Sequence, residues 1–383
     1  MKIHDLFIKI KSMIIPNKVK KEIDIFLNSS QRNISSKEEY RKVLEYTLKY
    51  KSLLYTIGAH NSHLMDKLIN HICKYENPKD AVEILDKLYP IYEKAEKYQY
   101  ELKSDIHDYW ANMLIALGRE SEAYDHLIKT TYYMFIDNIS YQGFDFFSFR
   151  SFSDYALDDI KNNTLSFSHP GLFNDPMDTP IIRFNDIIRN QIQDEDMRKK
   201  NLLLSKVYDH IKVRCFVRTQ PLPTIHTDEN TEKEQRIEDV NALMWAHYAD
   251  FHKGFCVKYC FDKDFVLNNN ETTMSFSRIG NVNYQPEIKT ESGLRLRDAL
   301  FMKHDVWKYE NEVRIVHFDP NNNDDFKLMK INPNNIKEIY LGLRCSDENK
   351  YKMFKIMRGR SIPIYQMKLN ESNPFELVAV RIG

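Results

Sequence analysis

Two kinds of periodicity divide the chain. Up to about residue 135 the apolar positions recur at helical spacing among Lys, Glu and Tyr, with few glycines to interrupt them. Beyond about Ile136 short alternating runs take over. They predict strands at Phe144–Arg150, Thr164–Phe167, Val213–Val217, Gly254–Tyr259, Asn281–Tyr284, Glu312–Val316, Ile336–Leu341 and Phe375–Val380. Helical spacing returns at Ser153–Asn162, Val240–Asp250, Gly293–Lys303 and Ser346–Arg358. Polar stretches such as "HTDENTEKEQRIED", "LNNNETT" and "DPNNNDDF" read as exposed insertions. The pattern predicts a multidomain chain: a helical region over 1–137 and a mixed α+β domain over 138–383 with a mainly antiparallel sheet.

The helical region carries an internal echo. "KYENPKDAVEILDK" (Lys74 to Lys87) lies over "ALGRESEAYDHLIK" (Ala116 to Lys129) at a constant offset of 42. The alignment sets Ala81 on Ala123 and Leu85 on Leu127, with Asn77-Pro78 and Gly118 at matching turns. Small residues at crossings and breakers between helices are what stacked helical hairpins require. "YWANMLIALGRESEAYDHLIKT" is similar to a tetratricopeptide-type unit, though its period exceeds the usual figure of about 34 residues. An ordinary helical bundle is the plain alternative; a solenoid would offer a concave surface to a protein partner.

Composition narrows the classes. In 383 residues, 42% apolar and 13% aromatic content describes a folded chain. Lys+Arg 55 against Asp+Glu 55 argues against a general nucleic-acid coat, while leaving room for a local basic patch. Gly-rich phosphate loops of the two common kinds do not occur. The five cysteines are scattered, and Cys256 and Cys260 lack further ligands at zinc-site spacing, so they read as reduced thiols. No apolar run approaches the roughly 20 residues that span a bilayer, and the start lacks a signal-peptide pattern; a cytoplasmic protein is expected.

Candidate chemistry gathers in the α+β domain. "VWKYENEVRIV" (Val306 to Val316) reads as one strand, with Trp307, Tyr309, Asn311, Val313 and Ile315 on one side and Glu310, Glu312 and Arg314 on the other. Its plain account is an ion-paired face. In "MWAHYADFHKGF" His247 and His252 are five apart, which suits core packing or an aromatic wall better than a metal pair. In "FNDPMD", Asn174 or Asp175 reads as a turn cap or as a ligand holder at the lip of a site.

The order of "FSHPGLFNDPMD", "LMWAHYADFHKGFCVKY", "WKYENEVRIV" and "IKEIYLGLRCS" resembles a bacterial family, domain of unknown function 2971, over roughly residues 145–365. A second resemblance is to ADP-ribosyltransferases, whose pattern runs Arg, Ser/Thr motif, Glu-x-Glu. "FSFRS" is similar to their first strand and "ENEVRIV" to their catalytic one. The middle motif is open between Thr219 of "CFVRT" and Ser166 or Ser168 of "LSFSHP". That resemblance implies NAD as substrate, Arg150 and Ser151 on its pyrophosphate side, and Tyr248, Asn174, Asp175 and Thr219 as further binding residues. It also implies Glu312 as the ribose-binding catalytic carboxylate and Glu310 as the group acting on the acceptor. Toxin or defence effectors use such chemistry. Two rival readings are a Mg²⁺-dependent nuclease or phosphoesterase built on Asp175, Asp178, Glu310 and Glu312, and a non-catalytic ligand-sensing scaffold.

Overall fold

The computed structural model describes residues 34, 36–49, 61–95, 100–136, 145–175, 177–179, 193–218, 242–287 and 296–383. Two compact units emerge. One comprises Met1–Asp137 with Ile188–Val207, the other Asn138–Ile187 with Tyr208–Gly383. The chain thus returns to the first unit after entering the second, through the helix Glu195–Tyr208, whose Lys200 pairs with Asp108 at 2.7 Å. The segment around residue 137, where the sequence places a boundary, lies outside the described residues.

The first unit is helical, with Lys37–Lys49, Asn61–Tyr75, Pro78–Ala95, Tyr100–Ala116 and Glu120–Phe135 preceding that returning helix. The two aligned stretches do similar local work. Asn77 caps Pro78–Ala95 by accepting from the Asp80 amide at 3.0 Å, and Gly118 takes φ +71° before Glu120–Phe135. Ala81, Ala123, Leu85 and Leu127 are all buried. At the centre His107 meets His126 (Nδ1 to Nδ1, 2.9 Å) and the Tyr89 hydroxyl (3.0 Å), and its ring stacks on Trp110 and Tyr133.

The second unit is built on a large, mostly antiparallel sheet. Its strands are β1 (Asp145–Arg150), β2 (Thr164–Ser168), β3 (Ile211–Val217), β4 (Phe255–Cys260), β5 (Asn268–Asn270), β6 (Ser275–Asn281), β9 (Glu312–Phe318), β10 (Phe326–Lys330), β11 (Ile336–Leu341), β12 (Ile364–Leu369) and β13 (Leu377–Arg381). Between them, β7 (Asn283–Gln285) and β8 (Met302–His304) form a separate parallel pair. The order is β13-β12-β11-β4-β1-β3-β9-β6-β5, with β2 joining β3 to β10. Among the described strands of the main sheet only β11 and β12 run parallel, connected through the helix Asp347–Met357, as a crossover requires.

Strand register fixes the two faces. Phe147 sits opposite Val217, and Val217 opposite Glu312, so these three share a side. Met244, Trp245, Ala249, Tyr340 and Met367 join that side's core. The other side buries Phe146, Phe216, Tyr259, Val313, Ile315 and Ile339 with residues of the helices Asp154–Asn162 and Asp347–Met357. Alternation along β9 therefore puts Val313 and Ile315 on one side and Glu312 and Arg314 on the other.

Several predicted elements differ from those observed. The described part of the helix expected at Val240–Asp250 is Ala242–Tyr248, and it ends there because Asp250, Phe251 and His252 all adopt left-handed φ (45°, 52° and 66°). That turn delivers Gly254 so close to β1 that a Cβ there would lie 2.2 Å from the Arg150 carbonyl oxygen. Of the helix expected at Gly293–Lys303, residues 293–295 lie outside the described residues; Leu296–Leu300 is helical and gives way to β8 at Met302. The polar "LNNNETT" contributes β5, and "HTDENTEKEQRIED" lies outside the described residues. All five cysteines are free thiols. Among the described residues no helix is long and apolar enough to cross a membrane.

Candidate functional site

The single strand expected over Val306–Val316 is two structures joined by a hinge. Asp305–Glu310 is a 3₁₀ turn, started by the His304 side chain accepting from the Val306 amide, and β9 begins only at Glu312. Asn311 between them has φ 42° and ψ 53°. Asn tolerates this left-handed region better than most residues, and its amide also donates to the Arg218 carbonyl at 2.6 Å. Glu310 and Glu312 thus converge without sharing a strand face, which corrects the expected geometry.

Lys303 of β8 gathers them. Its Nζ lies 2.6 Å from Glu310 Oε2, 3.3 Å from Glu312 Oε2 and 3.5 Å from Asp178 Oδ2, and 5.0 Å from the centre of the Trp307 ring. Arg314, fully buried and two residues along β9 from Glu312, completes the cluster. Its Nε reaches Glu312 Oε1 at 2.7 Å, its Nη2 reaches Asp178 Oδ2 at 2.7 Å, and its Nη1 donates to the Leu300 carbonyl at 2.9 Å. Fork geometry of this kind is what a guanidinium offers and an ammonium does not. Asp178 arrives on the "FNDPMD" turn, where Asp175 Oδ1 accepts from the Met177 amide at 2.8 Å. One oxygen of Asp178, Oδ1, is buried without a hydrogen-bond partner among the described residues.

Aromatic hydroxyls line the carboxylates. Tyr248 donates to Glu310 Oε1, the Glu312 amide donates to the Tyr284 hydroxyl at 2.8 Å, and His247 Nδ1 meets the Tyr309 hydroxyl at 2.9 Å. Three carboxylates face two cations, and they do not titrate alike. Burial alone would raise Glu312, but Arg314 and Lys303 overcome it and hold the carboxyl down at about 2. Burial raises Glu310, with Lys303 opposing only in part and Glu312 adding to the rise. Asp178 is likewise raised by burial. Lys303 is driven up by the acids around it despite its burial.

The residues singled out in the sequence separate accordingly. Glu310, Glu312 and Tyr248 come together. Arg150 does not join them: three residues beyond Phe147 on β1, it faces the opposite side of the sheet and pairs with Asp159 at 2.6 Å. Ser151 follows it, exposed; Asn174 is exposed, and Asp175 shapes the turn. Thr219 lies outside the described residues. Lys303, Tyr284 and Trp307 were not expected as a group. A buried Lys beside an apolar run, "DALFMKHD", was the available signal. The Mg²⁺ reading meets an obstacle, since Lys303 and Arg314 already pair with Glu310 Oε2, both oxygens of Glu312 and Asp178 Oδ2. Among the described residues no group of three or more His, Cys, Asp or Glu is placed to hold a metal ion.

Residues 244–315 match the model of a family described as protein of unknown function (DUF2971). The match supports the resemblance noted above over a shorter stretch, one that includes Tyr248, Lys303, Glu310, Glu312 and Arg314. No curated protein and no solved structure matches the chain.

Proposed function

We propose that the sheet unit catalyses glycosyl transfer, with the bond between nicotinamide and ribose in NAD as its target. The observation that carries the reading is the split between two adjoining acids. Glu312 is held ionised and Glu310 is shifted toward taking up a proton. Environments that push two neighbouring carboxyls apart are the usual basis for dividing charge stabilisation from proton transfer. As the glycosidic bond breaks, the sugar gains positive charge, which the Glu312 carboxylate stabilises. Glu310 takes the proton of the attacking acceptor, with Tyr248 fixing its orientation. His247 and Tyr309 offer ring surfaces beside it. Arg150 has no part in this site, so NAD phosphates need other partners. The helical unit then selects a protein partner or acceptor, in the manner of a toxin or defence effector.

A second reading, a non-catalytic binding module, rests on the saturation of Arg314. A guanidinium committed to Glu312, Asp178 and Leu300 also serves to fasten the "FNDPMD" turn to β9. Incubation with labelled NAD separates the two. On the first reading the full chain consumes NAD or transfers label, and Glu310→Gln and Glu312→Gln each lower the rate at least about 100-fold while circular dichroism stays unchanged. Absence of turnover in the folded wild type sinks the transferase reading and leaves the module.

A further inference from the structure

On the sheet face away from the glutamate pair lies a second polar cluster, set among aromatic side chains. Arg150 binds Asp159 Oδ2, and Asp159 also accepts from Thr164 Oγ1 and Ser166 Oγ, both at 3.0 Å. Beside it Arg214 of β3 donates Nη2 to Ser148 Oγ at 2.6 Å and packs 5.6 Å from the Phe216 ring centre. Its Nε is buried and has no acceptor among the described residues. Tyr259 of β4 is fully buried on the same face, and its hydroxyl also has no partner among the described residues. That hydroxyl lies in the field of Arg214, Arg150 and Asp159.

The balance of this cluster is incomplete in one direction. Among the described residues two guanidiniums meet one carboxylate, so one positive charge stands in excess. Both unpartnered atoms, Arg214 Nε and Tyr259 Oη, can donate. Burial and the neighbouring Arg150 pull Arg214 down to about 10, which still leaves it charged at neutral pH. A guanidinium buried without its counterion is costly, and the cost falls when an oxyanion takes up the donors. Arg150, Ser166 and Arg214 are half-buried, so the cluster keeps an open side.

We propose that Arg150, Arg214 and the Tyr259 hydroxyl form a binding site for a phosphate-class oxyanion, on the sheet face opposite Glu310 and Glu312. Arg214 Nε and the free N–H groups of Arg150 grip its oxygens, and Tyr259 donates from beneath. Asp159 holds Arg150 in place, and the second guanidinium supplies the charge that attracts an anion. The proposal is independent of the glycosyl-transfer reading, because the sheet lies between the two clusters.

The test compares thermal unfolding of the full chain in sodium phosphate, in ADP, and in sodium chloride of equal ionic strength. Phosphate or ADP raises Tm above the chloride control. Tyr259→Phe leaves the ligand-free protein at least as stable, because it removes a buried hydroxyl with no partner, yet weakens anion binding at least about tenfold. Arg214→Gln abolishes the shift. A response to ADP alone assigns the site to an esterified phosphoryl group, and a response to both includes the free ion. Equal stabilisation by chloride, or full affinity in Tyr259→Phe, overturns the proposal.

Discussion

One ammonium among three carboxylates defines the site at the scale of residues. The sequence showed the Glu-x-Glu pair and its Arg neighbour, and alternation correctly set Glu312 and Arg314 on one side. Lys303 stayed hidden because it precedes Glu310 by seven residues, a spacing that no single helix or strand turns into a contact. Breaking the pair should be expensive. Arg314→Met leaves Glu312 and Asp178 buried without their guanidinium and is expected to cost about 3–5 kcal/mol in urea unfolding. Arg314→Lys keeps the charge, loses the fork, and should fall between. The pH dependence has a definite sign. Glu312 is depressed in the folded state, so its contribution is present above about 4.5 and fades as pH falls toward about 2. In Arg314→Met that acid-side loss should shrink, which a series of unfolding curves between those pH values checks.

Among the elements, the hinge at Asn311 matters most, because it converts one predicted strand into a 3₁₀ turn and a strand. Period-two reading was right for Val313 and Ile315, which are buried, and failed for Trp307 and Tyr309, which belong to the turn. Nothing in a periodicity marks a left-handed residue, though Asn is a common occupant of that conformation. Asn311→Ala forfeits both the φ preference and the bond to the Arg218 carbonyl. It should destabilise by about 1–3 kcal/mol, whereas Asn311→Gly should recover the backbone share of that cost. Chemical denaturation of the two variants decides it. The strand β10 was missed for a different reason. "FKLMK" alternates, but with Phe326 and Leu328 exposed, so its apolar side does not point to a core.

Across the whole molecule, the sequence conveyed the order of a helical part and a sheet part, since composition and period change together. It did not convey the return of Glu195–Tyr208 to the helical unit, because that helix is amphipathic in a way that names no partner. Nor did it separate Arg150 from the glutamates, which depends on strand register rather than on any local pattern. Acid sensitivity is also a property of the whole. His107 and His126 in one unit, and His169, His252 and His317 in the other, are all shifted down, first by burial; His126 and His317 fall to about 4. The unfolded chain therefore takes up protons first as pH drops. Stability present above about 6.5 should be lost progressively toward about 4, with Glu310 and Asp178, raised by burial, working in the opposite sense. The expected result is a Tm that declines across that interval, and His317→Asn should flatten part of the decline. A Tm independent of pH there would count against neutral buried histidines.

The setting of Lys303 has a kinetic corollary. Acylating reagents attack a neutral amine that solvent can reach, and this one is covered, held protonated and shared by three acids. Modification at that position must wait for the 3₁₀ turn to lift away, so the labelling rate at Lys303, set against that of exposed lysines such as Lys308, counts how often the glutamates meet the solvent.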